Sequence, residues 1–379
     1  MLSSSEERSP YLARLRQAIV AEGGLFNAHL HLDRAGTFED RYLAAADLRV
    51  LENSHISLQQ KHYLINAIHA GPAYAPDDLT RRVNETINVM VASGTRRADT
   101  MVDVTDDAVG LSALETLGAI KAKRSDDIDL RLAAYSPLGF RDSEPGRWSI
   151  FEEGAARADF LGSLPEADDV SHYPGNIGFE EHCLRMLDLA RRHGKMLHVH
   201  TDQRNEESER GTERLIEVMR RHGGPSSPNG EPMVWAVHMV SPSKYDDARH
   251  RRLIDGLLEC NIGVISCPSA AIGMRQLRPL SGPTYNSIPR ILELAVAGVH
   301  VRLGSDNVAD ICSPSTTADL LDEVLMLTAA VRYYEIGFLA CLAAGKLLKP
   351  DQRTAVAEHL RLNDQETTKV LDALRHAHS

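Results

Sequence analysis

The stretch LFNAH, residues 25–29, is the first of eight short and largely apolar runs in the chain. Each run is followed by a polar or glycine-containing turn and then by a longer amphipathic stretch. The eight runs cover residues 25–29, 100–104, 130–135, 158–164, 196–200, 234–238, 262–267 and 299–305. Strands that are apolar throughout are buried on both faces, as in a parallel sheet. Eight such strand–helix units predict an α/β fold, the (β/α)8 or TIM-type barrel.

The segments between the runs have helical periodicity. Residues 182–194 carry apolar side chains at helical spacing and end at Gly194, which favours a helix. Residues 249–261 follow the same pattern and lead directly into the seventh run. An open, doubly wound sheet is the alternative arrangement. It is disfavoured because no Gly-x-Gly-x-x-Gly turn follows any early strand.

Two regions depart from an even barrel. Residues 34–94 are too many for one helix, so we expect a helical insertion after the first strand. An insertion there lies on the face where barrel active sites form, and is placed to act as a lid. The C-terminal region is helical in pattern at residues 320–334, 336–348, 352–360 and 364–376. The predicted organisation is one barrel domain over 1–379, with an N-terminal helix in 1–24 and a C-terminal helical cap at 350–379.

The composition and charge argue against several classes of protein. The chain has 379 residues and a formal net charge of −11, which would repel a nucleic-acid backbone. It has no run of about 18 apolar residues, so no membrane span is expected. Residues 1–7 are polar and lack the order of a signal peptide. The five cysteines are scattered and never spaced as Cys-x-x-Cys, which indicates reduced thiols in a cytoplasmic protein.

Histidine and aspartate recur where the predicted strands end. The residues concerned, at the ends of strands 1, 5, 6 and 8, are His29, His31, His198, His200, His238 and Asp306. His29 and His31 are two apart in an extended segment, so their side chains project to the same face. Barrel closure brings the carboxyl ends of all strands around one axis. Imidazoles and a carboxylate that converge there are well placed to hold a divalent cation.

This pattern resembles the amidohydrolase superfamily over nearly the whole chain. The stretches HLHLDRAGTF (29–38), HVHTDQ (198–203) and LGSDNVADICSP (303–314) resemble its cytosine deaminase branch. The resemblance implies that the metal ligands are His29, His31, His200 and Asp306, and that His198 is a buried neighbour. Binuclear members carry a lysine at the end of strand 4, and its absence here implies a single divalent ion, zinc or iron. Members of this branch usually carry a small flanking β-domain, but this chain begins with a helical pattern and lacks the usual final strand, so we expect a barrel without that domain.

The mechanism that the resemblance implies is hydrolysis by metal-activated water. A bound divalent metal lowers the pKa of its water to about 7. Asp306 would ligate the metal and act as general base, and His238 would position the nucleophile or stabilise the developing charge. The attacked carbon should be sp² and bonded to nitrogen, in an amide, amidine or heteroaromatic ring.

One position departs from the family pattern. Deaminases of this branch carry a glutamate three residues after the strand 5 histidine, where this chain has Gln203. Glutamine can hydrogen-bond to a substrate but cannot deliver a proton. Either another carboxylate takes that role, or no ring protonation is needed. The alternatives are Asp202, Glu206, Glu207 and Glu209.

Four further residues are candidates for substrate contact. Arg34 would clamp a carboxylate or carbonyl group, or else pair with Asp33. Asp103 would orient a ligand histidine, or else be a solvated loop residue. Glu166 follows strand 4, and Asn307 adjoins Asp306.

These features predict an enzyme that acts on carbon–nitrogen bonds other than peptide bonds, in a small polar nitrogenous substrate. The alternative is an aminohydrolase (deaminase) of a pyrimidine-, triazine- or purine-like ring. A phosphoesterase and a non-catalytic metal-binding protein are the rivals from other classes. The expected partner is a small-molecule substrate, with neither nucleic acid nor membrane, and a homo-oligomer is expected because such barrels often self-associate.

Overall fold

The computed structural model describes residues 9–44, 49, 51, 58–274 and 287–377. Eight parallel strands form one sheet in sequence order. They are β1 (Leu25–His31), β2 (Thr95–Asp103), β3 (Asp129–Tyr135), β4 (Phe160–Ser163), β5 (Leu197–Thr201), β6 (Val234–His238), β7 (Ile262–Ser266) and β8 (Val301–Leu303). Each overlaps one predicted run, and the predicted (β/α)8 barrel is confirmed.

The sheet closes where the chain after β8 meets β1. The backbone N–H of Asp306 donates to the oxygen of His29 at 2.9 Å, and the N–H of His31 donates to the oxygen of Asp306 at 3.2 Å. A Cβ atom at Gly304 would lie 2.6 Å from that His29 oxygen, so only glycine permits this approach. The side chain of Asn27 adds a hydrogen bond from Nδ2 to Ser305 Oγ at 2.8 Å.

Thirteen α-helices surround or extend the barrel in the described residues. They are α1 (Pro10–Ala21), α2 (Leu58–His69), α3 (Pro76–Ala92), α4 (Ser112–Lys123), α5 (Pro145–Arg157), α6 (Phe179–His193), α7 (Gly211–His222), α8 (Asp247–Glu259), α9 (Pro268–Gly273), α10 (Ile291–Ala297), α11 (Leu320–Val331), α12 (Ile336–Ala343) and α13 (Pro350–Ala377). The predicted helices at 182–194 and 249–261 are confirmed as α6 and α8. The helix α6 buries Cys183, Met186 and Leu187 against the core and ends at Gly194, whose φ is +62°.

The C-terminal prediction was wrong in one respect. The segments 352–360 and 364–376 were expected to be two helices, but α13 runs through both without a break. Asn363 and Asp364 have low helix propensity, yet neither removes a backbone hydrogen bond as proline does. No glycine or proline occurs between Asp351 and Ala377 to end the helix.

The insertion between β1 and β2 contains α2, α3 and two short 3₁₀ turns, Asp40–Tyr42 and Pro72–Tyr74. Parts of the predicted insertion, residues 45–48, 50 and 52–57, lie outside the described residues, as does the N-terminal stretch 1–8. The lid role and the domain boundaries stay predictions.

All eight strands in the described part of the chain belong to the barrel sheet, so no flanking β-domain occurs there. Within the same residues, no helix combines the length and the apolar character needed to cross a bilayer.

Candidate metal centre and active site

Four of the predicted residues converge at the carboxyl end of the barrel. The potential ligand atoms of His29, His200, His238 and Asp306 all lie within 4.8 Å of one another, and all four residues are buried. They come from β1, β5, β6 and the chain after β8, so barrel closure alone assembles them. His31 adjoins the group, with its Nε2 3.3 Å from Asp306 Oδ1. The structure therefore groups three of the four predicted ligands with His238, and the fourth, His31, lies beside them in contact with Asp306.

The imidazoles present free nitrogens to the centre of this cluster. His200 donates from Nδ1 to the backbone oxygen of Ser163 at 2.9 Å, and Nδ1 of His29 lies 3.4 Å from Nδ1 of His198. Among the described residues, Nε2 of His29, Nε2 of His200 and both ring nitrogens of His238 are buried without hydrogen-bond partners. Histidines that ligate metals characteristically have one ring nitrogen held by such a partner and the other free. The buried unpartnered nitrogens therefore fit a divalent ion.

The electrostatics of the cluster also suit a cation. Burial lowers the pKa values of His29 and His200 well below the ordinary histidine value, and neighbouring imidazoles lower them further. Burial alone would raise the pKa of Asp306, but its hydrogen bond with His31 and the nearby imidazoles hold that pKa below the usual carboxyl range. Neutral imidazoles and an ionised carboxylate are the protonation states that metal binding requires.

The guanidinium of Arg34 contacts Nδ1 of His31. A guanidinium only donates hydrogen bonds, so Nδ1 accepts here and the proton of neutral His31 is on Nε2, toward Asp306. To bind a metal through Nε2, neutral His31 must carry its proton on Nδ1. Two N–H groups would then face each other, so metal binding through His31 Nε2 would require a different position of the Arg34 guanidinium.

Backbone strain concentrates at this end of the barrel. His238, Met239 and Asp306 adopt left-handed conformations, with φ values of +79°, +49° and +59°. Non-glycine residues reach this region at an energetic cost, and such residues cluster at functional sites. The chain thus bends sharply after β6 and β8, and each bend positions a chemically active side chain.

A buried charged network lies beside the cluster and includes two substrate-contact candidates. Asp103 Oδ2 accepts hydrogen bonds from Tyr74 Oη at 2.8 Å and from His69 Nε2 at 3.0 Å, and lies 3.8 Å from Arg34 Nε. Asp103 is fully buried, so the alternative of a solvated loop residue is wrong. Within the described residues its side-chain hydrogen bonds come from His69 and Tyr74, and its orienting role toward a ligand histidine stays a prediction. The Arg34 guanidinium approaches Asp103, while the carboxylate of Asp33 accepts from the backbone N–H of Arg34 at 3.0 Å.

We expect the stability of the protein to fall as pH rises through the titration of His69. Burial alone would lower the pKa of His69, but hydrogen bonds to Asp103 and Asp107 raise it to about 9. This folded-state pKa exceeds the ordinary histidine pKa of 6.5. The contribution of His69 to the free energy of unfolding is therefore complete below about pH 6.5 and is lost as the pH rises through about 9. Urea midpoints measured across this window should decline for the wild type but stay level for His69→Gln. His222→Gln, at the exposed end of α7, is the control and should decline like the wild type.

The loop after β5 holds the predicted catalytic residue Gln203. Its Nε2 donates to Oε2 of Glu166 at 3.2 Å, so two site candidates from β4 and β5 are in contact. The neighbouring Asp202 is fully engaged, because its carboxylate accepts from the backbone N–H groups of Gly211 (2.6 Å) and Thr212 (2.9 Å) at the start of α7. Asp202 therefore cannot replace the missing glutamate, which corrects one predicted alternative.

Some buried polar groups near the cluster were not singled out from the sequence. The ring of Tyr135, at the end of β3, has its centroid 5.3 Å from that of His31 and 5.2 Å from that of His200. Asp310 has a buried Oδ2 without a partner among the described residues, and burial raises its pKa to about 6. Oδ1 of the predicted contact residue Asn307 is likewise buried and unpartnered. Tyr135 was recognisable by its position at a strand end, and Asp310 lies within the quoted stretch 303–314.

Comparison with known proteins finds relatives at low sequence identity. No family model matches the chain. An uncharacterized protein from Haemophilus influenzae is 27% identical over 274 residues, which cover 72% of this chain and 91% of that protein. A pterin deaminase from Rhizobium rhizogenes is 21% identical over 67% of this chain, but the match spans only 54% of that enzyme.

Solved structures share the architecture. A 5-methylcytosine deaminase from Klebsiella pneumoniae liganded with phosphonocytosine is 25% identical with a TM-score of 0.70, over 86% of this chain and 75% of that one. An N-isopropylammelide isopropylaminohydrolase from Burkholderia multivorans is 21% identical with a TM-score of 0.59, and the match covers 85% of this chain and 74% of that one. At this identity the similarity to the isopropylaminohydrolase shows a shared fold alone. The predicted resemblance to the cytosine deaminase-like branch of the amidohydrolase superfamily is confirmed.

Proposed function

We propose that this chain is a metal-dependent hydrolase that cleaves a carbon–nitrogen bond in a small polar nitrogenous molecule. One observation carries this conclusion: buried imidazole nitrogens without hydrogen-bond partners face the Asp306 carboxylate where four barrel strands end. Such a cluster is costly to bury unless it binds something. The predicted ligands of the ion, zinc or iron, are His29, His31, His200 and Asp306.

Each residue then has a chemical task. A divalent ion held by these residues would supply a water that ionises near neutral pH. The Asp306 carboxylate accepts the proton of the attacking water and returns it to the leaving nitrogen. His238 has both ring nitrogens free, and it orients the nucleophile or stabilises charge on the attacked group. Gln203, Arg34 and Asn307 contact the substrate.

The finer proposal is aminohydrolysis of an amino-substituted nitrogen heterocycle, such as a pyrimidine, triazine or pterin. The likeness to the 5-methylcytosine deaminase and the pterin deaminase supports it. An unpartnered buried Oδ1 on Asn307 and an unpartnered Oδ2 on Asp310 offer acceptors for the N–H groups that these rings carry.

Location and assembly are proposed on sequence grounds. The five cysteines are scattered and never spaced as Cys-x-x-Cys, which supports a cytoplasmic location with reduced thiols. We also propose self-association through the outer helices of the barrel.

Ammonia release by metal-loaded protein tests the function. We expect the protein reconstituted with zinc or iron to release ammonia from at least one member of a panel of amino-pyrimidines, amino-triazines and pterins. Removal of the ion by a chelator should abolish turnover, and restoring the ion should recover it. Hydrolysis of simple amides, lactams and ureas by the same preparation tests the broader proposal of a carbon–nitrogen hydrolase.

Two results would contradict the proposal. Hydrolysis of generic phosphate esters without ammonia release would favour a phosphoesterase. Stoichiometric metal binding with no turnover on any panel would favour a non-catalytic metal-binding protein.

A further inference from the structure

We propose that Glu166 is the catalytic residue that carries the proton to the substrate ring, in partnership with Gln203. This inference rests on the proposed aminohydrolase function, because only an attack on a ring C=N bond needs a proton at the ring nitrogen. A residue with this task must be a carboxyl group that holds a proton near neutral pH, and it must have an oxygen free to face the substrate.

Glu166 meets the geometric requirement. It follows β4, whose last residue, Ser163, accepts the hydrogen bond of His200. One carboxyl oxygen of Glu166, Oε2, accepts from Gln203 Nε2 at 3.2 Å, which fixes the orientation of the carboxyl group. The other oxygen, Oε1, is buried and has no hydrogen-bond partner among the described residues. A buried polar atom without a partner is costly, and a substrate N–H or ring nitrogen would satisfy it.

The other carboxyl groups of the region are worse placed. Asp202 is occupied by the first backbone amides of α7. Glu206 is partly exposed, and its carboxylate accepts from the N–H of Ser208 at 3.0 Å. The Oε2 atom of Glu209 accepts from Ser241 Oγ at 2.5 Å and from the Arg204 N–H at 2.9 Å. Its Oε1 is, like that of Glu166, buried without a hydrogen-bond partner among the described residues, but it lies 3.7 Å from the cationic Arg204 Nε. Glu207 is exposed.

The charges around Glu166 favour its protonated form. Burial and the Asp202 carboxylate raise the pKa of Glu166 to about 7, against the opposing effects of Arg204 and the backbone N–H groups of residues 202 and 203. The adjoining Glu209 has its pKa raised to about 9 by burial, Glu166 and Asp202. Carboxyl groups that share one buried region cannot all ionise together, so Glu166 holds its proton over a useful part of the neutral range.

The reaction balances with two proton carriers. In the first step the water oxygen bonds to the ring carbon that bears the amino group, and Asp306 takes the water proton. The electron pair of the ring C=N bond moves to the ring nitrogen, which takes the proton of Glu166. In the second step the carbon–amine bond breaks, and its electron pair leaves on nitrogen, which takes the proton from Asp306 and departs as ammonia. The hydroxyl proton returns to Glu166, leaving a ring carbonyl.

Substitution of Glu166 tests the proposal directly. We expect Glu166→Gln to lower kcat for ammonia release by about 10²–10⁴-fold, the usual range for loss of a general acid. The exchange variant Glu166→Gln/Gln203→Glu keeps one carboxyl and one amide in contact, and it should recover part of the rate. Glu217→Gln, at an exposed position of α7 where the carboxylate pairs with Arg210 at 3.0 Å, should retain wild-type activity.

The pH profile and infrared spectra separate this role from a structural one. Because the protonated form of Glu166 is the active one, wild-type kcat should fall as pH rises through about 7, and that limb should be absent from Glu166→Gln. Independently of turnover, difference infrared spectra of the metal-loaded protein should show a protonated carboxyl band that titrates near pH 7 and is missing in Glu166→Gln.

The outcomes distinguish the two proposals. Ammonia release by the wild type with an unchanged rate and profile in Glu166→Gln would overturn the role of Glu166 and leave the aminohydrolase standing. Absence of ammonia release from every ring compound would overturn the aminohydrolase itself. If no ring compound releases ammonia, the infrared spectra still test Glu166, and a wild-type spectrum without the titrating carboxyl band would overturn its role.

Discussion

Replacement of Asp306 by asparagine is expected to lower kcat/KM by about 10⁴-fold, the upper end of the range for loss of a general base. Asparagine keeps the size of the side chain but cannot accept a proton from water, and it is a poorer ligand for a divalent ion. The carboxylate is also the group that the surrounding imidazoles face, with His31 Nε2 at 3.3 Å and His29 Nε2 at 3.8 Å from Oδ1. We therefore expect metal content to fall together with activity.

Metal analysis and steady-state kinetics on the same preparation check this result. Asp322→Asn is the matched control, because that carboxylate accepts from Thr317 Oγ1 at 2.7 Å, outside the cluster. It should retain both metal and rate. Wild-type turnover in Asp306→Asn at full metal occupancy would show that another group is the base.

Replacement of Asp103 by asparagine is expected to destabilise the fold by about 3–5 kcal/mol, the usual cost of removing one partner from a buried ion pair. The change leaves the Arg34 guanidinium and protonated His69 without their shared counter-charge. Asp103 and Arg34 are buried, so water cannot compensate the loss. The network joins β1, β2 and the insertion, and its loss should loosen all three.

Urea unfolding followed by circular dichroism measures this effect. Asp107→Asn is the control, because Asp107 contacts the same histidine at 2.6 Å but is partly exposed. An exposed partner is replaceable by water, so we expect a loss of at most about 1 kcal/mol. Equal losses in the two variants would contradict the central role of Asp103.

The sequence predicted the barrel and its cluster well because both follow from local patterns. Each strand is a short apolar run, and the alternation of side chains along β1 fixes His29 and His31 on one face. Closure of eight such units then places Asp306 beside them without any knowledge of packing.

The surroundings of the cluster could not be predicted in the same way. His69 and Tyr74 come from the insertion, whose path over the barrel depends on tertiary packing rather than on periodicity. The assignment of Asp202 as a candidate failed because its engagement by Gly211 depends on where α7 begins, and helix boundaries are poorly marked in sequence. The contact between Gln203 and Glu166 joins two loops, and neither loop carries a local signal of the other.

The seam between the first and last strands has a consequence for how the protein responds to its ion. Asp306 and His29 are 277 residues apart (306 − 29 = 277), yet their backbones pair and both side chains belong to the cluster. An ion bound by both residues would add a second link between two segments that are far apart in the sequence. A free ion concentration of 100 times the dissociation constant would raise the free energy of unfolding by about 2.7 kcal/mol. The melting temperature of the protein should therefore rise with the concentration of the ion supplied during growth. Substitutions elsewhere that weaken the pairing between the first and last strands should lower the metal content.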